Sequence, residues 1–554
     1  MNRYRLPMLL LAAVVAAVVP GDLLARQETP ATGPEPMKLS LMDCIREAFK
    51  NNREVKVTSY YQELRENDLT FQEAQFDPSV TAATSYTDTS DPSLAYCDLS
   101  SFSAGLCSPL GSLKALSNMS SSAAAEGTYS DRLHLGSTWS ADLAMVRQTR
   151  SFIILGFTPY PTDIPEYYYS QLTLSFTQPL LKNFGRKTND TGIVIAANNR
   201  DASKENFRGI VQTILNNVED AYWTLVYWRQ DLEVRKEALR LAQELLKLNQ
   251  IKVQVGTLPP IDIIQAEAGV ASREEDVIIA DSRIKTAEDQ LRNVMGMEPQ
   301  TPRWGATIVP TDEMTIAERA VDLSQEVKKA IENRTDLATT RLELKSADTT
   351  LAYRRNQLKY SLDFNARYIL QGLAGDTRAI SLWDPNTHSN ITLAGPINSG
   401  MQDALEYIPK FEFPTWEVSL TVGIPIGNRA EEALYSSARL QKEQSSIMYQ
   451  RQEQLAVVEV GNAVRQVLTD RKRIQAAEKN RILQEKKVEA EQKKFENGLS
   501  TSFQVLTFQS DLATARSAEN LAKTDYRRSL ATLDRATGTL DKALDIRIED
   551  YRRE

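Results

Sequence analysis

The sequence is poor in the residues that carry most metal and acid–base chemistry. It holds two histidines in 554 residues, His134 and His388. A His-rich metal site or a Ser-His-Asp triad has little material here. Both histidines fall between strand patterns, where solvated loop residues are expected. No glycine-rich phosphate loop stands in the context it requires. Carboxylates are spread along helical stretches beside Lys and Arg, as on solvated faces. No catalytic residue, metal set or cofactor is therefore expected. The net charge of −8 argues against a nucleic-acid partner. An aromatic content of only 7% suits long helices better than a compact enzyme core.

Transmembrane helices are missing as well. Leu6 to Val19 is apolar, follows Arg3 and Arg5, and precedes Leu23-Leu24-Ala25. It reads as a secretory signal peptide, residues 1–25, followed by a proline-bearing leader, residues 26–38. The run is short for a membrane span, and no cysteine follows closely enough for a lipid anchor. Membrane insertion, if it occurs, must use strands. Cysteine is scarce, with three residues. Cys97 and Cys107 flank a short serine-rich loop, and export to an oxidising compartment makes them a disulfide candidate. Cys44 lies on an apolar helix side and reads as a core thiol.

Proline is absent from about Ile193 to Val255 and again from about Glu431 to Phe495. Helical periodicity persists through both stretches, each roughly 95 Å at about 1.5 Å per residue. Each ends at a glycine, Gly256 or Gly498, where a helix end can take left-handed backbone. Return helices follow, from about Ile261 to Val294 and from about Ser502 to Gly538. The two hairpins align without a gap at an offset of 242, with Val218 on Val460, Gly256 on Gly498 and Gly296 on Gly538. Upstream, Ala330 to Leu337 mirrors Ala48 to Val55 at an offset of 282. The chain is thus an internal duplication: a first repeat at 39–299, a connector at 300–322, a second repeat at 323–540 and a tail at 541–554. Ser40 and Asp43 form a capping box for a helical run expected from Leu41 to about Phe76.

Four segments alternate as strands: Pro78–Thr87, Tyr168–Gln178, Leu362–Leu370 and Trp416–Ile424. Pro179 and Pro425 mark the passage from strand to helix. Asp363, Asn365 and Arg367 share one face of the third strand, opposite Leu362, Phe364 and Tyr368. The pattern fits a half-buried soluble sheet or a membrane barrel with a wet lumen. Charged Asp363 and Arg367 favour the lumen, since a dry core penalises them. Four strands cannot close a barrel, and open edges are forbidden in lipid. Several copies must then share one barrel, and three would give twelve strands. Crossings must come in even numbers, so Leu133 to Val146 either brings a partner strand or lies in the loop. The loop is the preferred placement. Helix pattern alone leaves open a soluble coiled-coil rod.

Leu39-Ser40-Leu41-Met42-Asp43-Cys44-Ile45 with Asn51-Asn52, Gln178-Pro179-Leu180-Leu181, Ile424-Pro425-Ile426-Gly427 and the two glycine turns stand in one order, duplicated. In this the chain resembles the TolC-type outer-membrane efflux channels over about Leu39 to Leu540. The resemblance implies a mainly α protein with a membrane β-barrel. It would be a homotrimer with a twelve-stranded barrel, four strands per chain, above a periplasmic α-barrel. It implies outer-membrane lipid, a periplasmic adaptor and an inner-membrane pump as partners, with the chain as exit duct of an efflux or type I secretion system. Val255, Gly256, Thr257 and Leu258, with Asn497, Gly498, Leu499 and Ser500, would form the tip that meets the adaptor. Asp262 and Gln265, with Gln504 and Thr507, fall where the family narrows its periplasmic aperture. Well-known members carry two aspartates at the second-repeat positions; this chain has neutral Gln504 and Thr507, which puts cation blockage there in doubt. A periplasmic scaffold and a surface adhesin are the alternatives.

Overall fold

The computed structural model describes residues 36–94, 115–153, 161–316, 319–375, 380–384, 389–393 and 399–546. The expected signal peptide, most of the leader, Cys97, Cys107 and His388 lie outside them. In chain order the elements are β1 (Met37–Leu39), α1 (Leu41–Asn51), α2 (Arg53–Glu73), β2 (Ser79–Leu94), β3 (Ala115–Arg132), β4 (Thr138–Ile153) and β5 (Pro161–Pro179). Then come α3 (Arg186–Asn189), α4 (Thr191–Gln254), α5 (Ile261–Val294), β6 (Ile308–Pro310), α6 (Leu323–Asn333), α7 (Thr335–Gln357) and β7 (Ser361–Gly375). The chain continues through β8 (Ile380–Asp384), β9 (Ser389–Leu393), α8 (Met401–Lys410), β10 (Pro414–Gly423), α9 (Arg429–Glu496), α10 (Ser502–Ala536) and α11 (Leu540–Ala543).

The long helices are α4, with 64 residues, and α9, with 68, about 96 and 102 Å. Against α4 pack α5 towards one end and α2 towards the other; α9 is flanked in the same way by α10 and α7. The single expected helix from Leu41 to Phe76 is instead two, broken at Asn52, whose backbone is extended (φ −64°, ψ 122°). Asn52 caps the second helix by accepting from Glu54 N at 2.8 Å, and its Nδ2 donates to Val294 O at 3.1 Å. The second repeat breaks at Arg334 (φ −66°, ψ 130°). The cause is a crossing that helical periodicity does not register. The glycine ending each return helix packs on the break: a Cβ at Gly296 would lie 2.8 Å from the Asn51 backbone, and one at Gly538 2.7 Å from Asn333 O.

The main core lies at this level of the molecule. Ile45, Phe49, Leu215, Tyr222, Leu225, Leu291 and Met295 bury together, closed by the parallel pair β1–β6. Cys44 is buried there as a free thiol, as its place on the apolar side predicts. A second cluster joins Val460, Val464 and Val467 to Tyr526 and Leu533.

The large sheet is antiparallel, in the order β10-β7-β5-β4-β3-β2. It has six strands where four are expected, so the loop placement of Leu133 to Val146 is corrected. Leu133 to Ser137 make the tight turn of a β3–β4 hairpin, and β4 starts at Thr138. The miss has a physical reason. In β3 the residues on the apolar side are Ala123, Ala125 and Gly127, facing Ala124 and Ser122 on the other, so hydrophobicity hardly alternates. The stretch between β7 and β10 holds the β8–β9 hairpin and α8. Helix α8 lies on the apolar side of the sheet, where Ser170 Oγ donates to Ala404 O at 2.7 Å and Gly372 leaves no room for a Cβ.

Candidate functional site

Cross-strand register aligns all six strands by face. Val80 pairs with Tyr129, Tyr129 with Ala141, Ala141 with Leu174, Leu174 with Tyr368 and Tyr368 with Trp416. Along this row the face is apolar from edge to edge, and away from the patch that α8 covers it is open in the single chain: Val80 is 76%, Trp416 74% and Leu420 63% exposed. Contiguous apolar surface of this extent marks a face meant for lipid or protein. Outer strands β2 and β10 pair on one side only.

The opposite face is polar. Here the sheet brings Asp363, Asn365 and Arg367 together with Ser175, Thr177, Glu417 and Thr421. Asn365 Oδ1 accepts from Thr177 Oγ1 at 3.0 Å, and its Nδ2 donates to Thr421 Oγ1 at 3.2 Å. Arg367 Nη1 lies 3.5 Å from Glu417 Oε2. Both ions are more than half exposed, so the pair contributes little stability and leaves the surface wet. Pro179 ends β5 opposite Asp363, and Leu180 N continues the ladder to Leu362 O at 2.7 Å. Pro425 lies between β10 and α9.

At the far ends of the long helices the two turns have the same construction. Gly256 (φ +77°) and Gly498 (φ +74°) are left-handed. Thr257 N donates to Lys252 O and Leu499 N to Lys494 O, both at 2.8 Å, while each glycine N–H reaches the carbonyl three residues back. This is the Schellman closure. Asn497 Nδ2 caps Lys493 O at 2.8 Å, and Ser500 Oγ donates to Glu491 Oε1 at 2.5 Å.

Sequence reading singled out the turns but missed the residues that lock them together. Lys252 Nζ donates to Phe495 O at 2.8 Å and stands 4.2 Å above the Phe495 ring. Asn249 Nδ2 donates to Ser502 Oγ at 2.7 Å and to Asp262 O at 3.2 Å. Leu245, Phe495 and Val505 bury between the hairpins, with Leu258 packed against them. The offset of 242 carried a signal: it places Leu245 on Lys487 and Val253 on Phe495, so the tip core draws different residues from each copy. Ile251, Val255, Ile261, Leu499 and Phe503 stay exposed around the tip. Gln265, Gln504 and Thr507 are exposed and Asp262 half-buried; Thr507 Oγ1 donates to Phe503 O at 2.9 Å.

Buried and part-buried ion pairs join the helices between tip and sheet. Glu288 and Arg292 are buried together on α5, with Arg229 of α4 at 3.0 Å from Glu288. Arg208 on α4 pairs with Asp541 at 2.9 Å, and Gln212 Nε2 donates to both Gly538 O and Asp541 Oδ1 at 3.0 Å. Arg334 bridges Asp336 at 2.6 Å and Glu459 at 2.7 Å. His134 is a paired turn residue: Nδ1 lies 2.6 Å from Asp190 Oδ1, and the ring stacks on Phe76 at 4.2 Å. Among the described residues no group of three or more His, Cys, Asp or Glu could hold a metal, and no helix is long and apolar enough to cross a membrane.

No curated protein matches the chain significantly. The structure is similar to the outer membrane protein VceC of Vibrio cholerae, at 15% identity and TM-score 0.58, covering 90% of this chain and 96% of that one. It is similar to the Campylobacter jejuni CmeC outer membrane channel, at 16% identity and TM-score 0.58 with coverages of 93% and 89%. The open state of the Neisseria gonorrhoeae MtrE outer membrane channel matches at 14% identity and TM-score 0.56, covering 90% and 89%. At these identities the likeness shows the fold. The family model described as outer membrane efflux protein matches residues 146–297 and 327–539, more than half of the chain. The chain belongs to the outer membrane efflux protein family and has the TolC-type channel fold, a fold of channels and not of enzymes.

Proposed function

We propose that three copies of this chain form the exit duct of a tripartite efflux or type I secretion system, carrying substrate from an inner-membrane pump across periplasm and outer membrane. The observation that carries this reading is the sheet's exposed apolar face and open edges, continuous with helical hairpins about 100 Å long. A soluble scaffold would leave that face in water. In the duct it meets lipid, neighbouring copies close its edges, and the Asp363–Asn365–Arg367 face lines the lumen.

The two glycine turns form the adaptor-binding tip. Their support is the exposed apolar group around Val255 and Leu499, presented on a turn whose carbonyls are already satisfied. Gln504 and Thr507, with Asp262 and Gln265, line a periplasmic aperture that is polar but weakly charged. The purified protein is expected to be a trimer that forms pores in planar bilayers. A photo-crosslinker at Thr257 or Ser500 should capture the adaptor in cells, while one at Lys285, on the exposed side of α5, should not. A soluble monomer without pore activity refutes the duct, and equal capture at all three positions refutes the tip.

A further inference from the structure

The strand count bears on what can pass the outer end of the duct. We propose that the β3–β4 hairpin is an insertion into the barrel wall, giving six wall strands per protomer and eighteen in the trimer. The membrane mouth is then wide enough for solutes of polypeptide bulk, up to about the width of a helical hairpin, ~20 Å. This rests on the trimeric duct proposed above.

Three observations place the hairpin in the wall. First, its faces continue those of its neighbours. Tyr129 and Ala125 of β3 and Trp139, Ala141 and Leu143 of β4 fall on the apolar face, while Thr128, Ser130, Ser140 and Asp142 fall on the polar one. Second, the insertion is neutral in register. Tyr86 pairs with Ala123, Ala123 with Arg147 and Arg147 with Tyr168, so without the hairpin Tyr86 would face Tyr168 directly. Val80 and Leu174 are likewise joined through Tyr129 and Ala141, and β2 and β5 are antiparallel. Two strands can thus be added or removed without changing direction or face. Third, the hairpin's turn is anchored at the junction of sheet and helices. Gly185 N donates to Leu135 O at 3.0 Å, a Cβ at Gly136 would collide with Asn183 O, and His134 meets Asp190.

Barrel diameter grows roughly linearly with strand number. With strands about 4.8 Å apart and tilted about 40°, the wall is about 24 Å across for twelve strands and about 36 Å for eighteen. The inserted lumen side is largely small, with Ala124, Thr128, Ser130, Ser140 and Ala144 beside the longer Glu126, Asp142 and Gln148, so side chains take back only part of the gain.

The test uses the full chain with its three cysteines replaced by alanine. A fluorophore is placed on Leu143→Cys or on Asp142→Cys, and each protein is reconstituted in vesicles of brominated phosphatidylcholine. Quenching severalfold stronger at 143 than at 142 is expected; equally weak quenching at both puts the hairpin outside the wall and overturns the proposal. Width is read by maleimide-polyethylene glycols of graded size, added from outside to an Asn365→Cys chain. The same is done after replacing residues 89–166 by a short Gly-Ser link, which leaves a four-stranded sheet. The full chain is expected to admit polymers about half as wide again. An identical cut-off in the two overturns the proposal, and if the deletion does not assemble, the quenching decides. Native mass supplies the copy number. A mass other than three copies, or an absence of pores, refutes the duct itself and not the place of the hairpin.

Discussion

Replacing Glu219 by glutamine is expected to stabilise the protein at neutral and alkaline pH and to leave it unchanged near pH 4. Glu219 lies on α4 and is 8% exposed. Burial pushes its carboxyl from 4.5 up to about 7, the Asp534 carboxylate adds to the rise, and Arg527 opposes it. Asp534 itself is held by Arg319 through contacts of 2.7 and 2.9 Å, so that arginine is already engaged. An acid whose pKa folding raises keeps its proton longer in the folded state. Between about 4.5 and about 7 the folded protein therefore binds more protons than the unfolded chain, and stability falls as pH rises. Below this window the group is neutral in both states and costs nothing; above it the full cost applies. The rise from 4.5 to about 7 corresponds to about 3 kcal/mol for each chain. Glutamine has nearly the same shape and no charge, so it removes that cost. Urea unfolding followed by far-ultraviolet circular dichroism at pH 4, 6 and 8 measures the difference between variant and parent. The midpoints should coincide at pH 4 and separate progressively towards pH 8, with the variant higher. A difference that does not change with pH, or a variant less stable at pH 8, would refute the reasoning.

The four helix-ending glycines should rank by their surroundings. Alanine at any of them meets left-handed backbone, at about 1–2 kcal/mol. At Gly256 and Gly498 nothing lies within 4 Å of the new Cβ, whereas at Gly296 and Gly538 it strikes backbone at 2.8 and 2.7 Å. The latter pair should lose about 1–3 kcal/mol more, read as lower thermal midpoints; equal midpoints for all four would count against the crossing. Burial pushes the Cys44 thiol up to about 12, so iodoacetamide at pH 8 should leave it unmodified until denaturant is added. In the same peptide map, run without reductant, Cys97 and Cys107 should be linked, and recovery of both as alkylated thiols sinks the pairing. At the proposed aperture, multivalent cations from the periplasmic side should block conductance poorly. Gln504→Asp with Thr507→Asp should create strong block that salt weakens; tight block of the parent channel, unmoved by Asp262→Asn, would misplace these residues.

Much of the architecture was legible in the sequence because it rests on local chemistry repeated twice. Proline-free periodicity gave α4 and α9 to within two residues at each end, since a helix that long needs only an uninterrupted backbone and a continuous stripe. The glycines at 256 and 498 announced left-handed ends, because no other residue takes that backbone without strain; the same backbone at Gly296 and Gly538 came only with the structure. Strong alternation in β7 and β10 showed which residues share the wet face. What escaped is decided by partners distant in sequence. The breaks at Asn52 and Arg334 exist because Gly296 and Gly538 press on the preceding asparagines. The tip is locked by Lys252 on Phe495 and Asn249 on Ser502, pairs 243 and 253 residues apart. The hairpin β3–β4 hid behind alanine and serine, whose hydrophobicity barely differs between faces; only pairing with β2 and β5 assigns those faces. Periodicity determines which elements form, but the number of strands in the sheet is settled by which backbones find hydrogen-bonding partners, and that is decided in three dimensions.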